Sequence, residues 1–196
     1  MILDPNDLDS RDVYKLLIGS VVPRPIAWVS TASREGRRNL APFSFFTVAS
    51  RNPPTLCISI GPRTEGDQPT KDTLDNMRET EEMVINIVSL PLANAMHESS
   101  RTHPPEVDEF KAADLTPAPC EVVEAPRISE SLISMECRLD RVLPIGGDHL
   151  VLARMLRFHV RDDLYKDGRI DVAALQPLGR LAGNYTKVET IFGLPM

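Results

Sequence analysis

Apolar runs of membrane-spanning length are missing from this sequence; none approaches the roughly 20 residues a helix needs to cross a bilayer. Positive charge is also short: 22 Lys and Arg stand against 28 Asp and Glu, for a formal net charge of −6. That balance excludes broad nucleic-acid binding, which needs a clustered basic surface. It leaves room for a small anion, because a few local donors hold one phosphate. Cysteine is scarce, with Cys57, Cys120 and Cys137 odd in number, far apart and without a C-x-x-C. The opening segment MILDPNDLDSRDVYK is acidic and polar, unlike a secretory signal. Together these features predict a reduced, cytoplasmic protein with no membrane segment and no disulfide framework.

Several catalytic signatures are absent as well. His97 and His103 lie six apart, and no H-x-x-x-H supports a metal site. There is no G-x-S-x-G nucleophile elbow and no G-x-G-x-x-G dinucleotide loop. What is present is ordinary for a globular chain. The 196 residues are 42% hydrophobic, which suits one domain over residues 1–196 with a sizeable core. Pro numbers 17 and Gly only 10, so many short elements joined by stiff loops are expected.

The spacing predicts a short helix over residues 7–18 and a strand over 26–31. Gly36 sits in a turn, and a second strand is expected from Leu40 to Ala49. Further strands fall at 55–61 and 81–89. Ile133, Met135, Cys137 and Leu139 alternate on one face of a later strand. After the Gly146-Gly147-Asp148 turn, Leu150, Leu152, Leu156, Phe158 and Val160 alternate on the next, interrupted by Arg154. Helices are expected at 70–80, capped by Thr70 or Asp72, and at 91–100, opened by Pro91. Residues 98–127 are acidic and Pro-rich, and are expected to run over the surface. Many short strands with few helices indicate an antiparallel barrel.

Three places invite chemistry. Thr70-Lys71-Asp72-Thr73 is either an ordinary capped helix start or a phosphate cradle, with free N–H groups, a lysine and hydroxyls. Ser59, Gly61 and Arg63 end a strand where backbone can approach a ligand and an arginine can reach an anion; an ordinary strand end looks the same. Between Asn39 and Phe46, Pro42 cannot donate a ladder hydrogen bond, so the strand must be an edge or bulged. Neighbouring N–H groups are then available to a flat heteroaromatic ring, with Phe43, Phe45 and Phe46 as walls. Trp28, the only tryptophan, is either core or a cofactor neighbour, and His149 is either structural or a ligand contact.

The ordered set VPRPIAWVST, NLAPFSFF, NPPTLCISIG, KDTLDNMRETEEMVINIV, DEFKAADLTPAP, PRISESLISMECRL, GGDHLVLARM and LGRLAGNYT resembles the flavin reductase-like family of FMN-binding split barrels, over about residues 10 to 190. The resemblance implies a mostly β fold, a six-stranded antiparallel split β-barrel with a few short helices, and a homodimer with FMN near the interface. It places Trp28, Val29, Ser30 and Thr31 beside the isoalloxazine and ribityl chain, with Asn39, Ala41, Pro42, Phe43, Ser44 and Phe45. It gives the phosphate to Ser59, Ile60, Gly61, Arg63, Lys71, Asp72 and Thr73, and brings Tyr185 to the cofactor through a C-terminal R-x-G-G-x-Y-like pattern with Arg180 and Gly183. His149 is the candidate for orienting a nicotinamide or a flavin carbonyl. Two departures bear on nicotinamide access: Ala182 stands where glycine is common, and Ala153-Arg154 replaces a smaller step.

The activity implied is hydride transfer from NAD(P)H to flavin N5. Edge N–H groups would stabilise the charge that develops near N1, and a small molecule or protein would accept the electrons. The alternatives are an FMN carrier or electron-transfer module reduced by a protein partner, and a cofactor-free interaction domain.

Overall fold

Hydrophobic alternation and turn residues place the strands of the computed structural model, which describes residues 1–63, 69–104 and 106–193. After a one-turn helix at Pro5–Asp7, α1 (Ser10–Ser20) starts at Asp9, whose carboxylate accepts from Asp12 N–H at 2.8 Å. β1 (Ala27–Ala32) and β2 (Arg38–Phe43) form a hairpin turned at Gly36, whose φ of +78° favours glycine. β3 (Phe46–Arg51) and β4 (Pro54–Ile60) form the next. Then come α2 (Asp72–Thr80), β5 (Glu82–Ile87), α3 (Ala93–Glu98) and α4 (Glu109–Ala112). A small pair, β6 (Pro117–Ala118) with β7 (Arg127–Ile128), precedes the long hairpin of β8 (Ile133–Ile145) and β9 (Asp148–Val160). The chain ends with the hairpin β10 (Tyr165–Lys166) and β11 (Arg169–Ile170), then α5 (Val172–Leu175), then β12 (Leu178–Arg180) paired with β13 (Tyr185–Lys187).

The main sheet has seven strands in the order β2-β1-β5-β8-β9-β4-β3, every neighbouring pair antiparallel. This is a mostly β split barrel. The count is seven rather than six because the run from Leu40 to Ala49 is two strands, β2 and β3, parted at Ser44 and Phe45. Pro42 confines β2 to an edge, as its missing N–H requires. The Ser44–Phe45 step then hands the chain to the opposite edge.

One core cluster joins Val29, Phe43, Ile58, Ile60, Met83, Ile85, Met135 and Val151, closed by Leu74 and Met77 from α2. A second lies across β1 and gathers Ile26, Trp28, Leu40, Met96 and Phe110. Residues 98–127, apart from Pro105 outside the described residues, run over the surface with many exposed positions, pinned to the body by buried Phe110, Leu115, Val123 and Ala125. On β9 the buried residues are Val151 and Ala153, opposite Ile58 and Leu56. The Leu150–Val160 alternation marks the outer face. Both faces of β8 are covered near Glu136, which is fully buried. Its carboxylate accepts from Glu121 N–H (2.9 Å) and Val122 N–H (2.7 Å) and lies 2.5 Å from His159 Nε2. A buried carboxylate survives only with such partners.

Glu136→Ala strands two backbone donors and an imidazole. It is expected to lower stability by about 2–4 kcal/mol, read from urea midpoints.

Candidate functional site

The β2 edge runs past the start of α2, and an open cleft lies between them. Asn39, Ala41 and Pro42 line it from β2, Lys71, Asp72 and Thr73 from the helix, and Arg63 from beyond β4. The 99–103 segment and Glu109 close the far side. Lys71 is the N-cap of α2, and among the described residues no side chain caps the helix. Thr70 and Asp72, the expected caps, are engaged elsewhere: the Thr70 hydroxyl donates to Asp75 at 2.7 Å, and Asp72 pairs with Arg63. The first-turn N–H groups and the positive end of the helix dipole therefore face the cleft without a side-chain cap.

Electrostatics in the cleft are mixed. Burial and the neighbouring Arg63 guanidinium hold the Lys71 ammonium below its usual pKa, against the pull of Asp148. Glu109 is pushed up to about 7 by burial, with Asp72 and Asp108 adding to the effect against hydrogen bonds from its own N–H and that of Leu40. His103 Nε2 is buried and, among the described residues, has no hydrogen-bond partner. An orphaned polar atom in a cleft with two cations and an uncapped helix end is what an anionic, hydrogen-bonding ligand would complete.

Part of the edge departs from expectation. Leu40 N–H donates to Glu109 Oε2 at 3.2 Å, so at this position the backbone points away from β1. In an antiparallel ladder the outward groups recur at every second residue, and β2 pairs with β1 in unbroken register from Arg38 to Phe43. The next outward residue is Pro42, which has no N–H. Between Leu40 and Pro42 the edge thus offers carbonyls, and its one donor is taken.

A second open cleft adjoins the first and shares Pro42 and Ser100 with it. Phe43, Ser44 and Tyr185 line it, with Tyr14, Arg24, Ile26, Met96, Arg180 and Ala182. The two clefts bring together ten of the expected residues: Asn39, Ala41, Pro42, Phe43, Ser44, Arg63, Lys71, Asp72, Thr73 and Tyr185. The others stand elsewhere. Trp28 and Val29 are core, and Trp28 Nε1 donates to Ser99 at 2.8 Å. Ser30 donates to Pro126 O, and Thr31 accepts from Asn76 at 3.0 Å. Phe45 lies under the Arg24 guanidinium, 5.7 Å away. Ile60 is core, while Ser59 donates to Asp148 Oδ2 at 3.3 Å and Gly61 abuts the same carboxylate. His149 pairs with Ile60 and lines neither cleft. Arg154 is exposed on β9 opposite Thr55 and Arg138, away from both clefts. Tyr14, Arg24, His103 and Glu109 carry no local signal, because only the tertiary fold brings them to the edge.

A model of the family described as "Flavin reductase like domain" matches residues 18–188. An uncharacterized protein of Halalkalibacterium halodurans is 43% identical over 99% of this chain and 95% of its own length. The crystal structure of nitrilotriacetate monooxygenase component B from Bacillus cereus superposes with a TM-score of 0.94 at 38% identity, covering 99% of this chain and 98% of that one. The 2-nitrobenzoate 2-nitroreductase of Pseudomonas fluorescens gives 0.90 at 29% identity, covering 100% and 96%.

Glu109 has an ordinary pKa of 4.5 and a folded value of about 7. The folded chain therefore holds a proton there that the unfolded chain releases, and this group disfavours folding increasingly as pH rises through that window. Glu109→Gln is expected to remove that share of the slope when denaturation midpoints are measured from pH 4.5 to 8.

Proposed function

The chain belongs to the flavin reductase-like family, and from that premise we propose that it is an FMN-binding oxidoreductase reduced by NAD(P)H. The observation that carries this is the uncapped start of α2 facing a cleft with Lys71 and Arg63. One helix end with two cations suits one phosphate monoester, hence FMN. Arg63 is held in place by Asp72 before any ligand arrives. His103 Nε2 would gain the partner it lacks, and the outward carbonyls of Leu40 and Pro42 would accept from a ring N–H. Phe43, under the Lys71 ammonium at 5.4 Å, and Pro42 supply apolar wall.

Flavin, when bound, supplies the redox chemistry by taking up a hydride and passing electrons on. The protein's part is to hold, orient and shield it. The B. cereus and P. fluorescens neighbours are, by their names, a monooxygenase component and a nitroreductase, so a small-molecule or protein acceptor fits the same proposal. So does a homodimer: Val48, Leu143, Ile145 and Phe158 are apolar and exposed on β3 and the β8–β9 hairpin, surface that a second copy would cover. No helix among the described residues is long and apolar enough to cross a membrane.

Purified protein should be yellow, and anaerobic NADH or NADPH should bleach the flavin band in stopped flow. A yellow protein that neither nucleotide reduces is instead the electron-transfer module fed by a protein partner. Lys71→Ala should weaken FMN binding by about 1.5–3 kcal/mol, the worth of a charge-assisted hydrogen bond. Unchanged affinity in a fluorescence titration would remove Lys71 from the site.

A further inference from the structure

Cys120, Glu136 and His159 bring a sulfur, a carboxylate oxygen and an imidazole nitrogen within 4.8 Å of one another. They come from three segments: the loop after β6, the middle of β8 and the end of β9. None of them lines either cleft. A register fault builds the cluster. Glu136 pairs with Arg157 but Cys137 pairs with Met155, so Leu156 is an extra residue in β9. Without that bulge His159 would stand opposite Ile133, on the other face from Glu136, because facing residues alternate sides together. With it, His159 stands opposite Ser134, on the face of Glu136. Bulges re-aim side chains in this way and recur beside functional sites. The loop supplies the third group. Its N–H groups at Glu121 and Val122 donate to the Glu136 carboxylate, which holds the adjoining Cys120 over the same face.

The three donors suit one kind of ion. A thiolate is soft, an imidazole intermediate and a carboxylate hard, a mixture that fits Zn²⁺ and not Mg²⁺ or Ca²⁺. Charge agrees: a divalent cation with one thiolate, one carboxylate and a neutral imidazole sums to zero, which neutralises the fully buried Glu136 where it stands. Tetrahedral bonds of about 2.0–2.3 Å place ligand atoms roughly 3.3–3.7 Å apart. That spacing lies between the 2.5 Å from His159 Nε2 to Glu136 Oε1 and the 4.8 Å span of the cluster. The two backbone N–H groups on Glu136 already orient it, as outer partners orient metal-binding carboxylates. The His159 side chain is 23% exposed, so an ion has a path in and a fourth position open to water. From this geometry we propose that Cys120, Glu136 and His159 form a three-ligand zinc site that pins the loop after β6 to the β8–β9 hairpin. Binding releases the thiol proton to solvent. His159 Nε2 turns from donor to ligand: a neutral ring keeps its proton on Nδ1, and an imidazolium gives up its Nε2 proton.

The test is calorimetric titration of the flavin-loaded, chelator-treated protein with Zn²⁺, with Co²⁺ as a second probe read in difference spectra. Zn²⁺ should bind at one equivalent and raise the thermal midpoint, as a ligand of the folded state does. Mg²⁺ should do neither. Co²⁺ should give the visible bands of a tetrahedral ion and a thiolate charge-transfer band, both removed by one equivalent of Zn²⁺. Cys120→Ser and His159→Gln should each weaken Zn²⁺ binding at least about tenfold, since loss of an outer partner alone costs about 10–100-fold. His159→Gln keeps a donor for Glu136 and so separates ligation from folding, and flavin absorbance in the same samples should not change. Cys57→Ser should leave Zn²⁺ binding in place. No Zn²⁺ bound at one equivalent, a cobalt spectrum without the charge-transfer band, or undiminished affinity in either ligand variant overturns the proposal. Should Cys120→Ser fail to fold, the wild-type cobalt spectrum and His159→Gln decide. The site stands apart from the flavin reading, and a colourless chain that binds Zn²⁺ through Cys120 upholds it.

Discussion

A buried hydrogen-bond network of Thr31, Asn39, Thr73 and Asn76 fixes where the helix meets the sheet, and the cleft exists because of it. Asn39 Nδ2 donates to Thr73 Oγ1 at 2.8 Å and reaches Thr31 Oγ1 at 3.4 Å, and Asn76 Nδ2 donates to Thr31 Oγ1 at 3.0 Å. All four residues are buried. Polar groups removed from water must find partners, and each has few to choose from here. The first turn of α2 is therefore held against β1 and β2 in one register. Lys71 and the uncapped N–H groups point where they do as a consequence. Apolar contacts from Leu74 and Met77 supply adhesion, but they would tolerate a slide that the amides do not.

Pro42 divides the surface beside this junction into two electrostatic regimes. On one side, cations and carboxylates are interleaved. Asp72 restrains Arg63, and Glu109 occupies the outward N–H of Leu40. Such a site is preorganised by its own ion pairs, and an arriving phosphate competes with Asp72 for Arg63 rather than meeting a bare charge. On the other side stand two guanidiniums and, among the described residues, no acid. Proline offers no backbone donor at the boundary the two clefts share.

Much of the fold was legible because it is written in local patterns. The Gly146-Gly147 turn, the alternation of β8 and the edge forced by Pro42 all follow from residue types at fixed spacing. The start of α2 was legible as a place, though its capping was not. Thr70 and Asp72 are good cap residues, yet Asp75 and Arg63 claimed them, and that competition is tertiary. On β9 the alternation was legible, but not which face is inner: the side toward the main core carries the smaller Val151 and Ala153, where β4 approaches, while Leu156 and Val160 on the other side pack against smaller clusters. That the Leu40 N–H is not free follows from strand parity, which is fixed only once Leu40 is seen to point at Glu109. Arg24, 156 positions before Arg180, could not be placed beside it without the bridge that joins them.

A chain of formal charge −6 repels small anions at long range, and this sharpens what its cationic clefts can do. At physiological salt that repulsion fades over roughly 8 Å, so an anion that reaches the surface responds mainly to its immediate neighbours. There, an arginine stacked on tyrosine and a second one buried beside it act at contact distance and in partial shelter from solvent, where a charge is worth more than in water. Affinity for an anion is thus favoured where cations lack acidic partners, and among the described residues half of the lysines and arginines form an ion pair.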